Sequence, residues 1–289
     1  MSLPAPASSL RAGLQELPPK VRAYVEDVIA LVEARPGTCA SILLYGSSAI
    51  GGYSSAVSDV DVMLVLHDDA PSGLRQTLKR ELLELEVRHG FLDRDFWKRG
   101  RGRLVADKAL GVFISHFICP RRAFLAGDAS GIFHVNALAG ALTSRIIFAN
   151  ILASSMTVWG EDLGPRVQAP PVTRADVLKA LASLAPILAL AVLGLPFSRG
   201  ATKYAMASLK KGLHACYFCY GQPPMPISGK VRFFSERYPR LAGLGMLLQL
   251  REEYRPWARF TLWCAWALPY LHYRAARDNR FPLPGRAAR

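Results

Sequence analysis

Acidic residues become scarce beyond residue 135: of the 22 Asp and Glu only 7 lie there, beside 20 of the 36 Lys and Arg. The first 135 residues hold 16 basic and 15 acidic side chains, so a balance of +1 gives way to +13 in the second half. That imbalance argues against a polycationic partner for the second half and for an anionic one. Cysteine is sparse too, with five residues at 39, 119, 216, 219 and 264, odd in number and scattered. The pattern does not make an extracellular disulfide framework, and a reducing cytoplasmic setting is expected. The opening stretch MSLPAPASSLRAGLQELPPK is proline-rich and has no apolar centre, so it does not read as a secretory signal. Long apolar runs are few. Ala180–Phe197 is marginally long enough for a membrane span and Phe260–Tyr273 too short, and each carries an internal proline; no transmembrane span is expected, while peripheral membrane contact stays open.

What is present is a packed globular chain. Its 51% hydrophobic and 20% charged residues exclude disorder, and 289 residues divide most naturally into two domains at ~150 residues each. After a lead that includes an amphipathic helix with Val21, Val25, Val28 and Val32 on one face (residues 1–36), short β-prone segments appear at Ser41–Tyr45 and Asp59–Leu66. A charged amphipathic helix follows from Pro71 to about Glu86, then a strand at Gly111–Cys119 closed by Pro120. An α/β domain over 37–135 is the expectation. From 136 to 289 the helix period dominates, with helices expected near 134–158, 173–194, 201–220, 228–237 and 257–279, and Thr173 with Asp176 as a capping box.

The segment carrying chemistry runs from Tyr45 to Asp61, a strand, the turn Gly46-Ser47-Ser48, and a second strand opened by Asp59-Val60-Asp61. Side chains alternate along a strand, so Asp59 and Asp61 share a face with carboxylates ~6–7 Å apart. Two such acids repel unless a cation lies between them, and hard oxygen ligands of this kind suit Mg²⁺, which completes its shell with water and substrate phosphates. The glycine-serine turn offers backbone N–H groups and hydroxyls to a phosphate. Each half by itself also suits a plain hairpin loop and an Asp-capped strand start.

The combination resembles the nucleotidyltransferase superfamily of the polymerase-β type, whose signature is a strand, Gly-Ser, a turn of about ten residues and Asp-x-Asp opening the next strand. Gly46-Ser47 and Asp59-Val60-Asp61 match it, strongly over residues 38–67 and only in layout beyond. The resemblance implies an α+β fold, a small mixed-sheet nucleotidyltransferase domain followed by an all-α helical-bundle domain. It implies transfer of a nucleoside monophosphate from an NTP to an acceptor hydroxyl with Mg²⁺ or Mn²⁺ on Asp59 and Asp61, and Gly46, Ser47 and Ser48 holding the polyphosphate. Members usually add a third carboxylate on a later strand. Gly111–Cys119 has none, Ser115 and His116 standing at its middle; a strand around Leu83–Phe91 would instead offer Glu84 or Glu86, of which Glu86 is the candidate, with Asp93 and Asp95 behind it. Loss of the third acid would leave a nucleotide-binding or partner-binding module.

In the helical half, Lys203, Lys210 and His214 fall on one side of a helical wheel. The resemblance makes Lys203 and Lys210 candidates for the triphosphate, although a solvated flank has the same pattern. His214, Cys216 and Cys219 lie inside a regular helical period with no second ligand pair, so zinc is not expected. The charge of this half disfavours an aminoglycoside acceptor against a nucleic acid, nucleotide or acidic protein surface.

Overall fold

The computed structural model describes residues 13–53, 60–92, 116–135, 140, 143–198 and 200–285. Asp59, Asp93, Asp95 and the 111–115 part of the expected strand lie outside the described residues. Two compact units emerge, one from the described residues of 1–53, 58–140 and 154–169, the other from those of 141–153 and 170–289.

The first unit is built on a four-stranded mixed sheet. Helix α1 (Pro19–Glu33) starts on a proline, whose fixed φ suits the first helical turn, and buries Val21, Val25, Val28 and Val32. Strand β1 (Cys39–Tyr45) is buried along its whole length and pairs antiparallel with β2 (Asp61–Leu66), Tyr45 opposite Asp61. Helix α2 (Leu74–Arg88) buries Leu78, Leu82 and Leu85. Strand β3 (His116–Pro120) lies parallel to β2, with Val62 in register with His116, and β4 (Met156–Gly160) runs antiparallel to the other edge of β1. The sheet order is β3-β2-β1-β4. Ile42, Leu44, Val62, Leu64 and Ile118 share one face of it and form a single core with α1 and α2.

Two differences from the sequence reading bear on the site. Leu83–Phe91 is not a strand; its first six residues complete α2, so Glu84 and Glu86 sit ~200° apart around a helix, Glu84 exposed and Glu86 buried. The helical period read over 134–158 also breaks, because short helices α3 (Arg121–Ala126), α4 (Ala129–Phe133) and α5 (Arg145–Ala153) are followed by β4. Met156-Thr-Val-Trp is β-prone, and pairing with β1 satisfies backbone groups that an isolated turn would leave bare.

The second unit is helical. Helices α6 (Arg174–Leu193), α7 (Ala201–Phe218) and α10 (Ala258–Asp278) pack on one another, with α8 (Ile227–Arg237) and α9 (Gly245–Glu252) beside them. The Thr173 cap forms as expected: Asp176 accepts from the Thr173 backbone N–H at 2.8 Å, and its other oxygen accepts from the Arg145 N–H at 3.1 Å. Tyr217, Tyr220, Phe233 and Phe234 build an edge-to-face aromatic cluster where α7 meets α8, and Tyr238 stacks on Phe234. Helix α9 has no counterpart in the periodicity.

Candidate active site

Strand register brings the turn and the acid together. Since Tyr45 pairs with Asp61, the residue that leaves β1, Gly46, comes directly against the residue that opens β2. Gly46 has φ +71°, in the left-handed region that a residue with a Cβ adopts only at a cost. A Cβ built there would stand 2.5 Å from Asp61 Oδ2, so only glycine lets the carboxylate close over the turn. The turn is closed by the Gly52 N–H donating to the Ser47 carbonyl at 2.9 Å. Ser48 is buried, and its hydroxyl has no hydrogen-bond partner. Such an orphan is costly in a finished interior and usual where a ligand oxygen supplies the partner.

Two tyrosines line the same end of the sheet. Burial pushes the Tyr45 and Tyr24 hydroxyls well above the usual range, and the negative charges of Asp61 and Glu86 push further in the same direction. Both phenol oxygens are buried without a partner. Tyr45 stacks on Phe117 with ring centroids 6.3 Å apart.

Glu86 is placed differently from a third metal ligand. Its carboxylate accepts from His116 Nδ1 at 3.1 Å, both side chains being buried. His116 is in register with Val62 and so shares its face of the sheet, while strand alternation turns Asp61 to the opposite face. Donation from Nδ1 leaves Nε2 as the acceptor nitrogen, and it too is buried without a partner. The described part of β3 therefore carries a carboxylate-held histidine in place of an acid.

On α7 the two candidate lysines separate. Lys203 Nζ lies 4.8 Å from the centre of the Tyr254 ring, a cation–π contact. Lys210 and His214 belong to a basic group whose other members, Lys230 and Arg251, sequence reasoning missed. Lys230 of α8 is buried, with Nζ 2.5 Å from His214 Nδ1 and 5.3 Å from the Tyr217 ring centre. Burial, and secondarily the charge of Lys210, bring the Lys230 amine down to about 7. Burial and the charges of Lys230, Lys210 and Arg251 hold His214 well below the usual histidine range. None of the ion pairs among the described residues engages Lys210, His214, Lys230 or Arg251. His214 thus turns to Lys230 rather than to the cysteines; Cys216 and Cys219 are buried thiols, the latter raised to about 12 chiefly by burial.

The donor set suits a hard cation in part. Among the described residues no three His, Cys, Asp or Glu gather as a metal cluster. Asp61 beside a turn with an unpartnered hydroxyl nonetheless fits Mg²⁺, which takes one or two carboxylates and draws its remaining ligands from water and phosphate. The second carboxylate, Asp59, rests on its spacing in the sequence.

No family model matches the chain, and no curated protein does. Among solved structures it is similar to spectinomycin adenyltransferase AAD(9) from Enterococcus faecialis, solved with ATP and spectinomycin. The TM-score is 0.51 at 10% identity, over 89% of this chain and 99% of that one. The chain has an α+β nucleotidyltransferase fold.

Proposed function

From that fold we propose that the protein is a nucleotidyltransferase, moving a nucleoside monophosphate from an NTP to an acceptor hydroxyl. The carrying observation is the closure of Asp61 over Gly46, which puts a carboxylate and an anion-accepting turn at one point of the sheet edge. The acceptor oxygen bonds to the α-phosphorus as the bond to the bridging oxygen breaks; pyrophosphate leaves and the hydroxyl proton passes to solvent. Asp59 and Asp61 are the residues that would hold Mg²⁺ or Mn²⁺, which supplies neutralisation of the charge building on the phosphate oxygens. Ser47 and Ser48 donate to the polyphosphate, and Gly46 keeps the approach free of a side chain. Glu86 acts through His116 as a positioning residue. Within the helical unit, Lys203 and Lys210, engaged by no ion pair among the described residues, offer a basic edge of α7 suited to an anion, with the buried Lys230 amine behind Lys210.

The neighbour's binding of ATP supports an NTP donor. The +13 balance of residues 136–289 supports an anionic or neutral acceptor over a polycationic one. A second reading, nucleotide binding without transfer, is favoured by one observation, the absence of an acid on the described residues of β3. Pyrophosphate release from each of the four NTPs with Mg²⁺ or Mn²⁺, across anionic and neutral acceptors, separates the two. Release that disappears in Asp61→Ala supports transfer. Metal-dependent NTP binding by calorimetry with no release under any acceptor supports the second reading.

A further inference from the structure

Helix α6 is apolar nearly all round, yet only 39% of its most hydrophobic 18-residue window is buried. Its outward side carries Leu178, Leu193 and, just past its end, Phe197, exposed by 61%, 71% and 89%. Helix α10 adds Leu262, Trp266 and Tyr273, spaced as one stripe and all exposed. The two stripes are continuous: Ala185, Ala189 and Leu193 of α6 and Ala265 and Pro269 of α10 line one open groove without a polar side chain. A surface of this extent is uncommon on a protein that meets only water.

The charges around it select the occupant. The Val172–Leu283 antiparallel bridge ties the start of α6 to the chain just beyond α10, so the helices run in opposite directions. Arg174 and Arg277 then stand at one end of the apolar strip, and Arg259 near the other, all exposed. The acids within α6 and α10 are already used, Asp176 in the cap and Asp278 bound by Arg274 at 2.9 Å. A second copy would set the same arginine-rimmed face against itself. An apolar strip about 30 Å long with arginines at its ends and interfacial Trp and Tyr matches an anionic lipid surface.

We propose that this α6–α10 face docks on an anionic membrane surface, lying in the interface with its arginines at the headgroups. The helix does not cross the bilayer, since its other side is packed on α7 and α10 and its cap holds a buried Asp176.

Flotation of the full chain with vesicles of phosphatidylcholine, alone or with one-quarter phosphatidylglycerol, tests this. Wild type should float with the anionic vesicles, and apparent affinity should fall at least about tenfold without phosphatidylglycerol or in about 0.5 M salt. Leu193→Ser/Phe197→Ser and Trp266→Ser, exposed and therefore compatible with an unchanged circular dichroism spectrum, should each lower it at least about tenfold. Wild type that stays with the unbound protein, or serine variants that float as wild type does, would overturn the proposal. So would a lipid-free dimer, seen by analytical ultracentrifugation, that the same variants convert to monomer, because the face would then belong to a second copy.

Discussion

Replacing Gly46 by alanine tests the geometry on which the functional reading stands. The new Cβ would meet Asp61 Oδ2 at 2.5 Å, about 1 Å inside ordinary contact, from a backbone at φ +71°. The left-handed conformation alone costs a non-glycine residue about 1–2 kcal/mol. Moving the Asp61 carboxylate off its rotamer adds about 0.5–1.5 kcal/mol. Gly51 provides the control: it has the same φ of +71° with nothing within 4 Å of a built Cβ, so Gly51→Ala pays for the backbone and leaves Asp61 alone. In thermal melts both variants should lose stability, Gly46→Ala by a few degrees more. In pyrophosphate release they should part widely, Gly46→Ala falling about 10²-fold, because a displacement near 1 Å at a reacting centre is enough for that, and Gly51→Ala staying near wild type. Equal turnover in the two variants would refute the idea that close approach of turn and carboxylate organises the site.

Asp61→Ala should abolish turnover while the far-ultraviolet spectrum is kept, since it removes a partly exposed acid and no apolar core; turnover above about a thousandth of wild type would remove Asp61 from the chemistry. Glu86→Gln keeps an oxygen for His116 Nδ1, so a positioning role predicts turnover within about tenfold of wild type with an unchanged pH profile, and a collapse comparable to Asp61→Ala would return Glu86 to the acid triad. Burial lowers His272 from 6.5 to about 4, so the unfolded chain binds the proton first and stability should drain away as pH falls from about 6.5 to about 4, by on the order of 3 kcal/mol; His272→Phe should flatten that part of a denaturation-versus-pH curve, and an unchanged slope would refute the assignment. Lys230, lowered from 10.5 to about 7, has the same sign in another window: stability should rise between about pH 7 and 10.5, and Lys230→Met should remove the rise.

The parts of this molecule legible in its sequence are those whose contacts are local. Ser41–Tyr45 and Asp59–Leu66 read as strands because Ile42–Tyr45 and Val62–Leu66 are unbroken bulky apolar runs, and the strands form at Cys39–Tyr45 and Asp61–Leu66, with only a short stretch of chain between Gly46 and Asp61. The helix read from Pro71 to about Glu86 forms as α2; the alternative strand around Leu83–Phe91 rests on the alternation of Leu83-Glu84-Leu85-Glu86, and in the helix Leu82 and Leu85 are what the core required. Met156–Gly160 was hidden inside a helical period, and its strand form depends on β1, more than 100 residues away. The two histidine pairings were out of reach for the same reason. His116 finds Glu86 30 residues back, and His214 finds Lys230 16 residues on, each across two elements whose packing no local pattern encodes.

Lys230 is a different kind of group from the basic flank of α7, where Lys203 is exposed. A solvated lysine keeps its amine in water, whereas this one is buried against a neutral imidazole, under a tyrosine ring, with Lys210 close enough to weaken it further. Folding gains nothing electrostatic from the arrangement; removing an amine from water costs several kcal/mol and the neighbouring cations add to it. Such a cost is offset when an anion arrives, since one phosphate neutralises several cations at once and restores the proton that burial removed. Binding of inorganic triphosphate should therefore take up protons near pH 7.5 and raise the melting temperature, and Lys230→Met should lose both effects. Triphosphate binding that is identical in buffers of different ionisation enthalpy would show that the amine plays no part in it.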